Sequence, residues 1–423
     1  MAEPVPARRS GPRALAGDLL RRTPPPVQLG VRDLRRRWRR GAAGVRAAVL
    51  PGSRIVPAEQ LLAPWPATRV RLLVGPANFA GQAWAWGRAA ERHLDQVSAR
   101  VVAVERSLPF PADLRVPPTV HRSQAWAAVL QRQVTSGGEG GRGATHALVD
   151  AFRPLFGIRN GDDCAGDLRV LHRHGVSTAL AAHGSDVRLP SRHVELYPWS
   201  PFPRMPADLV GRLQAQAERH LRIASAHEGP VYVSTPDQLD FLPRATWLPT
   251  VVDPGRWATE LPVLERERPV VLHAPSNALL KGSEHVEPVL QRLQAEGLVE
   301  YVRVEGVAPE EMTALVQAAD IVVEQLVLGL YSLAAIEAMA AGRVVLAHVH
   351  PRVRERLPRE LPVVEADPAT LEQVLRGVLA DRERYREVAA AGVTYATEVH
   401  DGRRSAAVLA PWLGAGPRPA PGA

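Results

Sequence analysis

The sequence predicts an α/β protein with two facing Rossmann-like domains, each a parallel sheet flanked by helices, and a ligand cleft between them. Three observations carry this. Short apolar strands alternate with helical stretches from Arg69 onward. The alternation restarts after Pro254. A chain of 423 residues, 46% of them apolar, is globular and too long for one comfortable core. In open sheets of this kind ligands bind off the carboxyl ends of the strands.

Taken in order, residues 1–66 are rich in arginine and proline and read as an irregular extension with at most one short helix. Residues 70–74 form an apolar strand ending at Gly75, and the loop 75–81 leads into a helical stretch that ends near His93. Further strands are expected at 101–104, 147–149, 176–182 and 231–233. Residues 135–143 read as a glycine-rich loop, and 206–224 as a helix with Leu209, Leu213 and Ala217 in register. In the second half the expected strands are 270–274, 301–304, 321–323 and 344–347. Helices are expected at 283–296, 309–319 and 332–341, with a last one at 402–414 and a disordered Gly/Pro/Ala tail at 414–423.

Composition excludes several classes of protein. No run of about 18 apolar residues is present, so no membrane-spanning helix is expected. No secretory signal is visible, and the lone Cys164 fits a reducing compartment, so a cytoplasmic location is expected. No Cys/His cluster has zinc spacing, and neither metal nor cofactor is expected. The net charge of +8 is concentrated in residues 1–50, which hold twelve arginines and three acids. The remainder is close to neutral, so no nucleic-acid partner is expected. The basic segment 31–46, with Trp38 among its arginines, is either a peripheral contact with an anionic membrane surface or a solvated tail.

Lys281 is the only lysine among 52 basic side chains. A chain this biased to arginine has kept a compact point charge at one place, where a rigid planar fork would differ. Lys281 and Gly282 precede an expected helix start, where a cation alone is unfavourable but an anion is welcomed by both. The plain alternative is a surface lysine. Glu337 is the second outlier. Every other residue from 333 to 341 is apolar, so its helix is expected to be buried all round. Its carboxylate then needs either a buried arginine such as Arg343 or a ligand's pair of hydroxyls. The small residues before it, from Gly329 to Ser332, form another helix start suited to an anion. A phosphate site beside an acceptor for hydroxyls describes a nucleotide or a nucleotide sugar.

These residues carry a resemblance. His273-Ala274-Pro275-Ser276-Asn277 through Lys281-Gly282, then Asp320-Ile321-Val322-Val323, then Ile336-Glu337-Ala338-Met339-Ala340-Ala341-Gly342 resemble the retaining glycosyltransferases of the GT-B fold, of the family-4 and actinobacterial type. Gly75 to Gly81, His183-Gly184-Ser185-Asp186, Ser234-Thr235-Pro236-Asp237 and Leu248 through Asp253 add to it, and it spans roughly residues 67 to 400. The resemblance implies that Lys281 binds the donor's diphosphate, Glu337 the ribose hydroxyls, and that His183 faces the reacting sugar. It implies a donor site built from Gly75, Gly81, Ser276, Asn277, Gly282, Glu324, Gln325, Gly329, Leu330, Tyr331, Ser332 and Leu333. Asn78, Arg153 and Asp186 are the candidates for the acceptor, with a surface arginine and a turn-capping aspartate as the alternatives for the last two.

Two positions depart from the family's pattern. Gly329 stands where a second glutamate usually contacts the donor sugar, and Ser276 where an arginine usually stands. Glu324 or Gln325 could supply the missing sugar contact. The implied organisation is a basic extension (1–66), an acceptor domain (67–255, with 396–413 packing back on it), a donor domain (256–395) and a tail (414–423). The implied reaction moves a sugar from a nucleoside-diphosphate sugar to a hydroxyl of a small-molecule or glycan acceptor, with the anomeric configuration kept. No Asp-x-Asp pair suggests a bridging metal ion. The rival readings are a non-catalytic nucleotide-sugar-binding partner subunit and another GT-B enzyme, such as an epimerase or a phosphorylase.

Overall fold

Two parallel sheets organise the chain. The first is built from β1 (Val70–Gly75), β2 (Val97–Val104), β3 (Leu114–Val116), β4 (His146–Asp150), β5 (Ser177–Ala182), β6 (Val231–Val233) and β7 (Thr246–Trp247). Its order is β3-β2-β1-β4-β5-β6-β7. The second contains β8 (Val270–His273), β9 (Glu300–Arg303), β10 (Ile321–Val323), β11 (Val344–Ala347) and β12 (Val364–Glu365), in the order β12-β11-β10-β8-β9. The computed structural model describes Glu59 and residues 61–105, 110–136 and 143–419. The expectations for the N-terminal extension up to residue 58, the basic segment 31–46, residues 137–142 and the last four residues lie outside these.

The strand sequences explain the sheets. β1 and β11 are almost wholly buried and read as continuous apolar runs, as strands covered on both faces must. Chain order reverses between β1 and β4 in one sheet and between β8 and β10 in the other. Such switch points open a crevice at the carboxyl ends of the strands. The loops after β1, β4, β8 and β10 are therefore the places to look for a site.

The packing continues across elements distant in sequence. The helix Arg403–Leu413 buries Ala406, Leu409 and Leu413 against Ala83, Trp86 and Ala90 of the helix Gln82–His93. The expected disordered tail is held as far as Arg418, whose amide donates to His93 O at 2.8 Å, while the Asp95 amide donates to Gly416 O at 2.9 Å. Five longer helices were not legible as such: Gln124–Thr135, Ala165–Arg173, Pro190–Leu196, Leu371–Ala380 and Arg382–His400. The loop expected at 275–280 contains a short helical turn, Ala278–Lys281. No helix among the described residues is long and apolar enough to cross a membrane.

Candidate active site

The loop after β1 is a fixed cradle. Its Ala77 and Asn78 amides each donate to the Asp150 carboxylate at the end of β4, both at 2.7 Å. Asp150 is fully buried, so these contacts tie the two strand ends at the first switch point together. Asn78 takes a left-handed backbone (φ 45°), which asparagine tolerates better than most residues. Its side chain donates to Pro111 O at 2.9 Å and accepts from the Trp84 amide at 3.1 Å. Asn78 is thus part of the frame of the loop, its amide already engaged, rather than a free group for an acceptor. Asp150→Ala leaves two buried amides unpaired, an expected loss of roughly 2–6 kcal/mol of stability at 1–3 for each. Urea denaturation measures it.

His183 follows β5 and lies under the same loop. Its ring stacks on Trp86 (centroids 5.3 Å apart, planes at 23°) and meets the Phe79 ring edge-on at 5.3 Å. Nε2 stands 3.4 Å from Asp150 Oδ2 and has no hydrogen-bond partner among the described residues. The turn holding His183 is made by Asp186, whose carboxylate accepts from the amides of His183 and Gly184. Asp186 is accordingly the capping residue of this turn. A pocket of about 330 Å³ opens here, lined by Phe79, Arg153, His183, Ser185, Arg219 and His220 among others. Arg153 is exposed at its edge, its guanidinium 5.8 Å from the Phe79 ring centroid.

The second switch point holds the lysine. Lys281 ends the turn Ala278–Lys281, which the Asn277 side chain caps by accepting the Leu280 amide at 3.2 Å. Gly282, at φ 73°, then starts the helix Ser283–Ala295. Ser276 is exposed beside it. Lys281 Nζ pairs with Glu324 Oε1 and donates to Ser332 Oγ at 3.0 Å. Ser332 Oγ in turn donates to Glu324 Oε1 at 2.6 Å. Lys281 is therefore no solvated surface residue: its side chain is 12% exposed and its partner's 1%. Glu324 Oε2 is buried without a partner among the described residues.

Other candidates separate into frame and site. Gln325 is fully buried. Its carbonyl accepts the Val327 and Leu328 amides at 3.0 and 2.7 Å, and its NH2 group donates to Leu330 O and His348 O. Every hydrogen-bonding position is spent on folding the loop 326–331, which removes Gln325 as a sugar contact. Tyr331 also belongs to the frame. It lies in the core, its hydroxyl 3.2 Å from both Tyr395 Oη and His400 Nε2. Leu330 is buried with it, whereas Leu333, at the helix start, stays partly exposed.

Gly329 has a structural reason. Its φ is +71°, and a Cβ added there would lie 2.5 Å from Cδ1 of Tyr197. Tyr197 is itself fully buried, stacked on His193 and hydrogen-bonded to Asp240 at 2.6 Å. No side chain fits at 329 while that ring is present. Gly329→Ala is expected to cost about 1–3 kcal/mol from overpacking, read as a lowered melting temperature.

Glu337 sits on the helix Leu333–Ala340. Only part of its side chain reaches the surface, and apolar neighbours surround the rest. The expected alternative partner is elsewhere: the Arg343 guanidinium donates to the carbonyls of Leu261, Pro262, Ala319 and Ala341. Glu337 has neither hydrogen bond nor ion pair through its carboxylate among the described residues. Burial pushes its pKa up to about 8, while the charges of Arg256 and Lys281 pull in the opposite direction.

No family model matches the chain, and no curated protein matches it in sequence. Solved structures are similar in fold. HepE from Anabaena in complex with UDP shares 11% identity over 82% of this chain and 99% of its own, with a TM-score of 0.50. The same protein with UDP and glucose gives 11%, 81%, 99% and 0.52. Sucrose-phosphate synthase from Thermosynechococcus elongatus shares 14% identity over 81% of this chain and 98% of its own, with a TM-score of 0.52. The chain has the two-sheet α/β architecture of these GT-B proteins.

Proposed function

We propose that this protein is a glycosyltransferase that moves a sugar from a nucleoside-diphosphate donor to an acceptor hydroxyl with retention of anomeric configuration. The observation that carries the reading is the pairing of charges at the second switch point. A lone lysine at a helix start lies beside Ser332 at the start of another helix, and the next turns bring an unpartnered carboxylate, Glu337. Lys281 and the opening amides of the two helices suit the negative charge that grows on a leaving diphosphate. Glu337 suits the two hydroxyls of a ribose, each of which can donate to a carboxylate oxygen.

The reaction breaks the bond between the sugar's anomeric carbon and the diphosphate oxygen, and forms one to the acceptor oxygen on the same face. The acceptor's proton passes to the departing phosphate, so no protein nucleophile is needed. His183, packed between Trp86 and Phe79, would line the pocket in which the acceptor approaches. Arg153 stands at the edge of that pocket and would meet the acceptor.

Calorimetric titration with UDP, GDP and TDP and their common sugars tests the donor half of the reading. UDP comes first, because the HepE structures of similar fold hold it. The reading predicts saturable binding of one nucleotide series. Absence of binding across the panel contradicts it.

A further inference from the structure

We infer that Glu324 is the carboxylate that selects the donor sugar: Oε1 anchors Lys281 and Ser332, and the bare Oε2 accepts a hydroxyl of the sugar attached to the diphosphate. The inference rests on the donor reading above and deepens it. Its basis is the hydrogen-bond inventory around the lysine. An ammonium has three donors. Lys281 gives one to Glu324 Oε1 and one to Ser332 Oγ, which leaves one for a phosphate oxygen. Glu324 Oε1 is saturated by the same two partners.

Oε2 of the same carboxylate is different. It is buried on a side chain only 1% exposed and has no partner among the described residues. A buried charged oxygen left unpaired is costly, and only a donor brought by a ligand or a water relieves it. Sugar hydroxyls are such donors, and the one attached to a bound diphosphate would arrive next to Lys281. The other nearby positions are closed to this role. Gln325 has spent all its groups on the backbone, and Gly329 has no room for a side chain beside Tyr197. Glu324 follows β10, at the switch point of its sheet, where a ligand is expected.

This geometry sets two effects of opposite sign. Glu324 adds a negative charge beside the phosphates, so its removal favours a bare nucleoside diphosphate. It also receives a sugar hydroxyl, so its removal disfavours the sugar. The test is calorimetry on the full chain and on Glu324→Gln and Glu324→Ala, with UDP, UDP-glucose, UDP-galactose, UDP-N-acetylglucosamine, GDP and GDP-mannose as probes. The ratio of affinities, nucleotide sugar over its own nucleoside diphosphate, is taken for the tightest-binding sugar.

The expected result is a ratio that falls at least tenfold in both variants while the nucleoside diphosphate binds equally well or several-fold more tightly. Misfolding cannot produce that crossing, because it weakens both ligands. Equal weakening of both ligands overturns the inference and leaves Glu324 as a support for Lys281 alone. An unchanged ratio overturns it too, assigning Oε2 to a water. If the unsubstituted protein binds no probe, the donor reading itself fails, and this inference with it.

Discussion

Lys281→Ala is expected to weaken UDP binding by about 10- to 150-fold, the equivalent of the 1.5–3 kcal/mol carried by a hydrogen bond to a charged group. The loss has a second source. Without the lysine, the almost wholly buried Glu324 carboxylate loses its cation beside the incoming phosphates. Breaking a buried pair by removing one partner leaves an uncompensated charge. Adding Glu324→Gln to Lys281→Ala is therefore expected to restore part of the UDP affinity. A non-additive double-mutant cycle is the signature of two residues acting on one phosphate. Lys281→Arg should fall between the two states. Its planar fork cannot point separate donors at Glu324, Ser332 and a phosphate oxygen as a rotatable ammonium can. Calorimetry on the five proteins (wild type, Lys281→Ala, Glu324→Gln, the double variant and Lys281→Arg) measures all of this, and normal UDP binding by Lys281→Ala would remove the phosphate role.

Glu337→Gln is expected to weaken nucleotide binding by about tenfold or more, with a pH dependence that runs opposite to its effect on stability. Burial raises the Glu337 pKa from 4.5 to about 8. Between those values the folded state holds a proton that the unfolded state has released. Stability from this group is therefore greatest below about 4.5 and declines as pH rises toward 8, by at most about 1.4 kcal/mol per pH unit. Nucleotide binding should do the reverse. The ionised carboxylate is the better acceptor for a diol, so affinity rises through the same window, at most about tenfold per pH unit. Glu337→Gln, which cannot ionise, should flatten both trends and be the more stable protein at pH 8 without ligand. Thermal melting and calorimetry at pH 6, 7 and 8 check the two slopes. Taking wild type against variant cancels the contributions of the buried histidines, such as His193 and His400, whose pKa values burial lowers to about 3 and about 4.

Much of this site was legible in the chain because its signals are local. Strand followed by glycine and helix start is a pattern of neighbouring residues, and it located Lys281 and Gly282 correctly at the start of the helix Ser283–Ala295. An apolar helix with one carboxylate is equally local, and Glu337 stands out on it. What the sequence could not reveal is direction and distance. Tyr331 lies within the segment expected to cradle an anion, yet its ring points into the core, toward Tyr395 and His400. The helical phase at a helix start is set by tertiary packing, not by the flanking residues. Glu324 lies 43 residues from Lys281, and only the parallel pairing of β8 with β10 brings them together. Arg343 was a reasonable partner for Glu337 by proximity in sequence, but its guanidinium serves four carbonyls instead. The glycine at 329 read as a loss of function-bearing chemistry. It is also a steric requirement, imposed by Tyr197 from the other half of the molecule.

The histidine and aspartate of the first switch point show the same division. The turn made by Asp186 was legible as one of two alternatives, since an aspartate shortly after a strand end can accept backbone amides. That Asp150 would hold the loop 75–81 from across the sheet was not, because Asp150 reads as the ordinary end of an apolar strand. A buried aspartate at a strand end, at the point where chain order reverses, is the signal that would have found it.

Glycosyl transfer with retention is read from the stereochemistry of turnover. The purified full chain is incubated with the nucleotide sugar it binds most tightly and a panel of hydroxyl acceptors, and the products are followed by proton NMR. The expected result is release of the nucleoside diphosphate that depends on the acceptor, and a glycoside whose anomeric coupling matches that of the donor. A glycoside of inverted configuration, or a tightly bound donor that no acceptor consumes, would contradict it.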